Sequence, residues 1–482
     1  VACAPHILFF ADRDGDGVAE VREVLFTGFG TGELERGINA PQWGADGWIY
    51  FGRGWPGGPI TGPKLAQPVI LPGSDFRIRA DGSAIEPVTG NTHTFGFTFT
   101  ESGDRFTVTT RNSFFVAPLP WHYLVRNPDA AATGLQVAVG DARAYSISQP
   151  HPWRQKRAED PAYFKYYNSR YGAAESEADG WFTSMCGPLI YRDHALPGLH
   201  GQYFACEPSG NIVHRSLIEA DGPVLKLRRA PGEEMSEFAA TTDQWSHPMH
   251  LLHGPDGAIW VVDYYREIIE DYSAIPRHLQ QQYGLYAGHD RGRIYRLTHE
   301  QKAPAPAADM SKLDAKQLAT EVASPLLWRR QTAQRLLVER NEKSAAAVLR
   351  ELLTNVAKHA KATHSSVKVA VAEGWLTVTV SDNGVGAVLT PLIGSGLILS
   401  GVTYSDAQLA AFTPAQLDAY LQGEARSVVL PYLVLAAAIV ASTRELAGCA
   451  SSRWMSAVTS VNRPRTFDTI MWRTSKPTSV WL

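Results

Sequence analysis

Short apolar and aromatic runs, each broken by glycine and aspartate, fill the first three hundred residues of the chain. The plainest case is WGADGWIYFG from Trp43 to Gly52, which returns as HGPDGAIWVVD from His253 to Asp263. In both, an Asp-Gly pair supplies the positive-φ positions of a tight hairpin turn, and an apolar aromatic strand follows at once. Looser copies stand at Asp81-Gly82, Gly103-Asp104, Asp179-Gly180, Ser209-Gly210-Asn211 and Asp221-Gly222, each beside a strand-like run. This recurrence predicts a mainly β chain: a β-propeller over residues 1–300, of roughly six four-stranded blades, incomplete at its N-terminus. GRIYRL from Gly292 reads as the last alternating strand.

The pattern then changes period. Residues 301–312 read as a Pro/Ala linker, and residues 313–350 carry Leu and Ala at helical spacing. Ser324-Pro325 opens a helix with Trp328, Ala333, Leu336 and Leu337 on one side, so the stretch predicts HEAT-like helices. One such pair cannot bury its own face and must dock on the propeller or on further repeats. The polar, aromatic segment from Ala158 reads as a long excursion from one blade, a usual place for function. Residues 351–386 run from helix to a two-stranded alternation to a Gly-rich loop. Residues 387–450 hold apolar runs that suit buried helices or membrane spans, and the tail 451–482 has no usable period and reads as disordered. The C-terminal third is thus heterogeneous, α/β passing to α.

At 482 residues, with 44% hydrophobic and 19% charged positions, the chain has the makings of real cores. A net charge of −3 leaves no electrostatic footprint for nucleic acid, which excludes DNA and RNA as partners. The opening VACAPHILFF has no basic n-region, so a secretory signal is either removed or outside this fragment. Of four cysteines, Cys186 and Cys206 fall on neighbouring strand-like segments. A disulfide between them would contribute about 3 kcal/mol and would imply an oxidising compartment. Two buried free thiols are the alternative.

Two constellations can carry chemistry. DRDGDGVAEVRE satisfies a calcium-loop pattern, with Asp12, Asp14 and Asp16 at alternate positions, the Val18 carbonyl, Glu20, and Glu23 in the twelfth, bidentate position. Its flanks read as strands, so the ion would be a structural staple and not a sensor. The second set lies on loops that blades present to a central site: His93, Arg111-Asn112, His214-Arg215, His247 and His250, then Asp263 and Arg266. His, Arg and Asp together can take a hydroxyl proton while a redox cofactor accepts hydride.

ILFFADRDGDGVAEVREVLFTGFG, QWGADGWIYFGRGW, FTSMCGPLIYRDHALPGLHGQYFACEPSGNIVHRS and HGPDGAIWVVDYYREIIE, with GRIYRL, resemble the large bacterial propellers described as membrane-bound dehydrogenases, relatives of the glucose/sorbosone dehydrogenases. The resemblance covers about residues 1–340. It implies a periplasmic or secreted oxidoreductase acting on a sugar or polyol, with pyrroloquinoline quinone as the cofactor of better understood cousins and a cytochrome c as a possible electron acceptor. Those cousins carry a Gly-His-Arg-Asn-type segment; GNTHTFGF departs from it, with Thr92 at the Arg place and His93 at the Asn place. No Cys-x-x-Cys-His occurs, so this chain attaches no haem c.

Further on, Glu351 and Asn355 resemble the N-box of a histidine-kinase-type ATP-binding domain, and Asp382, Gly384 and Gly386 its first glycine box. The resemblance implies Mg²⁺ at Asn355 and adenine at Asp382, although the lid and remaining elements are missing and ATP binding is not expected. The stretch from Pro391 to Ser442 is similar to part of a fucose-permease-type sugar symporter, which gives the C-terminal third a route to the membrane. Three fragments in series suggest a chimeric chain. The readings to weigh are a propeller oxidoreductase, a non-catalytic propeller and helical scaffold that binds glycans or proteins, and an ATP-binding signalling fragment.

Overall fold

The computed structural model describes residues 1–32, 37–53, 57–71, 75–88, 94–101, 103–111, 114–116, 137–221, 224–269, 275, 277–283, 287–300, 305–306, 308–346, 348–349, 365–372 and 375–382. Strands β1 (Ala2–Cys3), β2 (His6–Ala11) and β3 (Val21–Thr27) form the first of five small antiparallel sheets. The second is β4 (Ile38–Trp43), β5 (Ile49–Arg53), β6 (Phe76–Ile78) and β7 (Ile85–Pro87); the third is β8 (Phe97–Phe99), β9 (Arg105–Val108), β10 (Phe114–Val116) and β11 (Val137–Ala138). The fourth holds β12 (Cys186–Ile190), β13 (Tyr203–Glu207), β14 (Ile212–Asp221) and β15 (Val224–Arg229), with β16 (Ala239–Ala240) on β14. The fifth is β17 (Pro248–His253), β18 (Ile259–Asp263) and β19 (Arg293–Leu297), and a separate ribbon pairs β20 (Ser365–Ala372) with β21 (Trp375–Asp382). Each sheet runs in chain order with its neighbours adjacent, the up-and-down order of a blade. Among the described residues no strand joins the first sheet to the last.

The sequence repeat is a structural repeat. Gly47 at φ 74° and Gly257 at φ 82° turn the chain between β4 and β5 and between β17 and β18. The hairpins close alike, through Gly44 N–H to Trp48 O and Gly254 N–H to Ala258 O, both 2.8 Å. The turn aspartate of each then collects a ring donor from the following strand and a guanidinium from the next. Tyr50 OH donates to Asp46 Oδ2 at 2.7 Å, with Arg77 on the same oxygen at 2.7 Å. Trp260 Nε1 donates to Asp256 Oδ1 and Arg296 Nη1 pairs with Asp256 Oδ2, each at 3.2 Å.

The fourth sheet stacks between the third and the fifth because its central strand is apolar on both sides. On β13, Tyr203 and Ala205 join Phe106, Val108, Phe114 and Ile190 in one core, while Phe204 and Cys206 join Leu189, Leu251, Ile259 and Val261 in the next. All four β13 side chains are fully buried. Period-two alternation therefore divides one strand between two interfaces, and a buried Phe is worth about 1.5–3 kcal/mol. Cys186 and Cys206 are partners across β12 and β13, yet both are free thiols. Burial first, and the Glu207 charge second, push Cys186 up, and burial also raises Cys206. No disulfide closes this loop, a correction that removes the argument for an oxidising compartment drawn from it.

The excursion after β11 is helical: α1 (Pro152–Glu159), α2 (Pro161–Tyr171) and α3 (Ala173–Ser176). Proline at the first position and side-chain caps from His151 and Asp160 start α1 and α2. After α4 (Arg277–Gln282) come α5 (Ala315–Glu321), opened by an Asp314/Gln317 capping box, and α6 (Leu327–Glu339). Helix α6 begins two residues later than Ser324-Pro325 implies, and it buries Leu327, Ala333 and Leu337 while Trp328 and Leu336 are half-buried. The pair docks on the sheets, one of the two routes open to it, and no further repeat stacks on it among the described residues.

Helix α6 also shows how the sheets are arranged. Gln334 donates to Ala45 O of the second sheet's turn at 2.8 Å. Arg330 lies 3.8 Å from Glu101 in the turn before β9, and donates to Arg192 O beyond β12. Leu327 N–H donates to Asp193, and Leu326 packs at Gly257 of the fifth sheet's turn. A helix of 13 residues is about 20 Å long, so the turns of four successive sheets converge within that span. Convergence of this kind is what radially set sheets require.

Asp193 is fully buried and caps α6 from a distant strand end, in place of a local N-cap side chain. Asp193→Ala should lower unfolding stability by about 1–2 kcal/mol, a capping loss, and expose the 301–312 stretch to protease first. Urea unfolding and limited proteolysis check this; an unchanged cleavage pattern would show that α6 docks without the cap.

Candidate functional site

Opposite the α6 end of the fourth and fifth sheets, β17 starts and β18 finishes beside the short 3-10 turn Pro208–Gly210. Three segments meet there. His247 Nδ1 lies 2.8 Å from Pro208 O, and a carbonyl only accepts, so Nδ1 carries the proton and Nε2 presents its lone pair. His247 is 6% exposed and its Nε2 has no hydrogen-bond partner. Burial holds its pKa below the usual histidine value, so the ring is a neutral base.

Asp263 holds the backbone that carries this ring. Its Oδ1 accepts the N–H of His247 at 2.7 Å and of Tyr265 at 2.9 Å, and its Oδ2 accepts Ser246 Oγ at 3.0 Å. The first residue beyond β18 sequence reasoning singled out, Arg266, has a buried Nε with no partner and its guanidinium over the Tyr264 ring at 4.1 Å.

His151 is the neighbour that sequence reasoning missed. It caps α1 by accepting Trp153 N–H on Nδ1, which leaves the proton on Nε2, 3.7 Å from Glu267 Oε1. Burial first, then the nearby His247, lowers its pKa to about 4. Partial burial raises that of Glu267. The available signal was local: His151 stands between Pro150 and Pro152 at the entry to the polar excursion, a place where a side chain is held rigidly. The result is a pair of neutral imidazoles with opposite tautomers, one bare nitrogen and one N–H, with a carboxyl and a guanidinium alongside.

The other sequence-derived candidates lie elsewhere. His214 is 1% exposed, with Nδ1 2.7 Å from Glu237 Oε2 and Nε2 2.8 Å from Ser216 Oγ. The order acid, histidine, serine resembles a nucleophilic relay, and Ser216, like His247, is buried. Glu237 also holds Arg229 and Tyr145 N–H, so this is a core network. Arg215 points the other way on β14 and pairs with Glu233 through Nε and Nη2. Arg111 lies over the Tyr171 ring at 3.6 Å. His250 is on β17 with its pKa lowered by burial. His93 lies outside the described residues, as do Asn112, Glu351, Asn355, Gly384, Gly386, the apolar stretch 387–450 and the tail; Asp382 is described only as the last residue of β21.

At the first sheet, Asp12, Asp14, Asp16 and Glu20 bring ligand oxygens within 4.8 Å of one another, all exposed. Asp12 accepts Gly15 N–H at 2.6 Å and Gly17 N–H at 2.8 Å, bonds that lower its pKa, and Glu20 accepts Arg13 N–H at 3.0 Å, with the same effect. One expected ligand, Glu23, lies outside this cluster. Glu23 sits on β3 opposite Phe9, because the strand has begun at Val21 and carries it along the sheet. Val18 is exposed and gives its N–H to Asp16 at 2.7 Å.

The family model described as Domain of unknown function (DUF7133) matches residues 1–301, and that described as Histidine kinase-, DNA gyrase B-, and HSP90-like ATPase matches residues 340–402. No curated protein matches. Among solved structures, a luciferin-regenerating enzyme is 11% identical at TM-score 0.31, covering 63% of this chain and 74% of that one. A glucose dehydrogenase is 14% identical at TM-score 0.31, and another 13% identical at 0.29; each comparison covers 53% of this chain and 69% of the other.

The two depressed histidines set a pH dependence. An unfolded His151 takes a proton near 6.5, whereas the folded one resists it until about 4. Between those values the unfolded state binds more protons, so stability declines as pH falls through this window and is level above it. Urea midpoints from pH 8 to pH 4.5 should drop, and His151→Gln should flatten the drop; an equally steep curve in that variant would assign the effect to other groups.

Proposed function

For a chain that belongs to the Domain of unknown function (DUF7133) family, we propose an oxidoreductase that takes a proton and a hydride from a hydroxyl-bearing carbon of a sugar or polyol. The observation that carries this reading is the neutral His247, its ring fixed by the Pro208 carbonyl and its backbone by Asp263. The sequence resemblance to glucose/sorbosone dehydrogenases supports the substrate class.

His247 Nε2 accepts the hydroxyl proton, and the Pro208 carbonyl on Nδ1 steadies the imidazolium that forms. A depressed pKa keeps the base competent below neutral pH. His151, through its Nε2 proton, donates to a second substrate oxygen, and Glu267 orients that ring. Pyrroloquinoline quinone fits the set, since the partnerless Nε–H of Arg266 suits a carboxylate of such a cofactor. When bound, it would supply the hydride-accepting chemistry. The partner this reaction needs is an electron-acceptor protein such as a cytochrome c. The reading implies a periplasmic or secreted protein, with membrane association through the C-terminal third; the segment holding Glu351, Asn355, Asp382, Gly384 and Gly386 has no part in it.

The Asp12 loop fits calcium because hard carboxylate oxygens converge there at the join of β2 and β3. EDTA should lower Tm, calcium should restore it, and Asp12→Asn should remove the calcium-dependent increment; identical melting with and without calcium would dismiss the ion.

Activity is tested by adding quinone and calcium to the full chain with an artificial electron acceptor and a panel of sugars and polyols. His247→Ala should cut kcat/KM by about 10²–10⁴, the usual worth of a general base. No quinone binding and no turnover across the panel would favour the glycan- or protein-binding scaffold instead.

A further inference from the structure

The two segments that carry the imidazoles are joined through one side chain. Asn211 follows the Pro208–Gly210 turn and is 5% exposed, with φ 57° in the left-handed region. Its Oδ1 accepts Ser148 Oγ at 2.6 Å, and its Nδ2 donates to Ser246 O at 2.6 Å and to Pro208 O at 3.4 Å. Both carbonyls only accept, so the amide faces one way: nitrogen toward them, oxygen toward the hydroxyl. Ser246 precedes His247, Pro208 O is the acceptor for His247 Nδ1, and Ser148 stands three residues before His151. The backbone of Asn211 is engaged as well. Its N–H donates to Pro208 O at 3.1 Å, and its carbonyl accepts Thr241 N–H at 3.2 Å.

Few residues can fill this place. A positive φ suits glycine and, among residues with side chains, asparagine and aspartate. Glycine keeps the backbone but has no amide. Aspartate would accept from Ser148, yet it would turn a second oxygen on the carbonyls of Pro208 and Ser246, where a donor is required. Asparagine alone meets both demands. A second tie between the same segments, Gln244 Nε2 to Gln149 O at 2.7 Å, is exposed, so water competes for it. With its polar atoms all engaged, Asn211 has nothing left to offer a substrate.

We propose that Asn211 is a positioning residue, fixing His247 and His151 relative to each other through Pro208 and Ser246 on one side and Ser148 on the other. For turnover this inference rests on the oxidoreductase reading; for the placement of the two rings it does not. His151 reports that placement. Its ring faces His247, Glu267 Oε1 at 3.7 Å and the edge of Tyr283 at 5.1 Å, and Lys156 lies over that tyrosine at 5.6 Å. Burial first, then His247, holds His151 at about 4, so release from the link raises its midpoint. The test uses the full chain. The midpoint is read by histidine hydrogen–deuterium exchange and mass spectrometry, beside kcat and KM on the sugar or polyol that the parent turns over. Asn211→Gly keeps the backbone conformation; it should raise the His151 midpoint by about one unit and lower kcat about tenfold with KM within about twofold. Ser148→Ala cuts the link from the His151 side, should raise the same midpoint, and carries the test alone if Asn211→Gly does not fold. Asp193→Ala, which weakens the molecule at α6, should leave both the midpoint and kcat in place. An unchanged midpoint in the two link variants, or an equal shift in Asp193→Ala, overturns the positioning role. So does kcat retained in full by both link variants. A shifted midpoint with no turnover by the parent overturns the oxidoreductase reading and leaves Asn211 as the residue that places the two rings.

Discussion

Burial of both faces of the middle sheets is the constraint from which the rest of this molecule follows. A strand such as β13, with aromatic or small side chains alternating into two cores, has no solvent side, so its sheet must sit between two others. The stack of successive sheets is a consequence of that two-sided hydrophobicity, and strand propensity adds little to it. With their faces occupied, the sheets leave only their turns for chemistry and for docking.

The turns at the two ends have different fates. At one end, where two of them are short Asp-Gly hairpins, α6 draws on four at once. At the other, the short Pro208–Asn211 turn and the Asp263 carboxylate hold His247. The buried Asp263 carboxylate illustrates this: three donors use it, two of them backbone N–H groups of His247 and Tyr265.

What the sequence disclosed was what depends on local chemistry. The Asp46-Gly47 and Asp256-Gly257 hairpins were legible because positive φ demands glycine, and the paired aspartate roles followed from the same repeat. Four of the carboxylates in the Asp12 loop were legible for the same reason, whereas Glu23 was not, because a sequence spacing cannot say where a strand begins. The histidine pair depended on distance along the chain: His151 and His247 come from segments almost a hundred residues apart, brought together by the Pro208–Asn211 turn. His214 misled because its polarity is answered inside the core by Glu237, which lies 23 residues on and carries no motif. The docking of α6 was foreseen as a need to cover an apolar face, but Asp193, its remote cap, has no local signature.

The position of α6 makes the two ends of the sheets unequal. A single helix that touches four turns makes those turns depend on one another, so loosening it releases the ends of four sheets together.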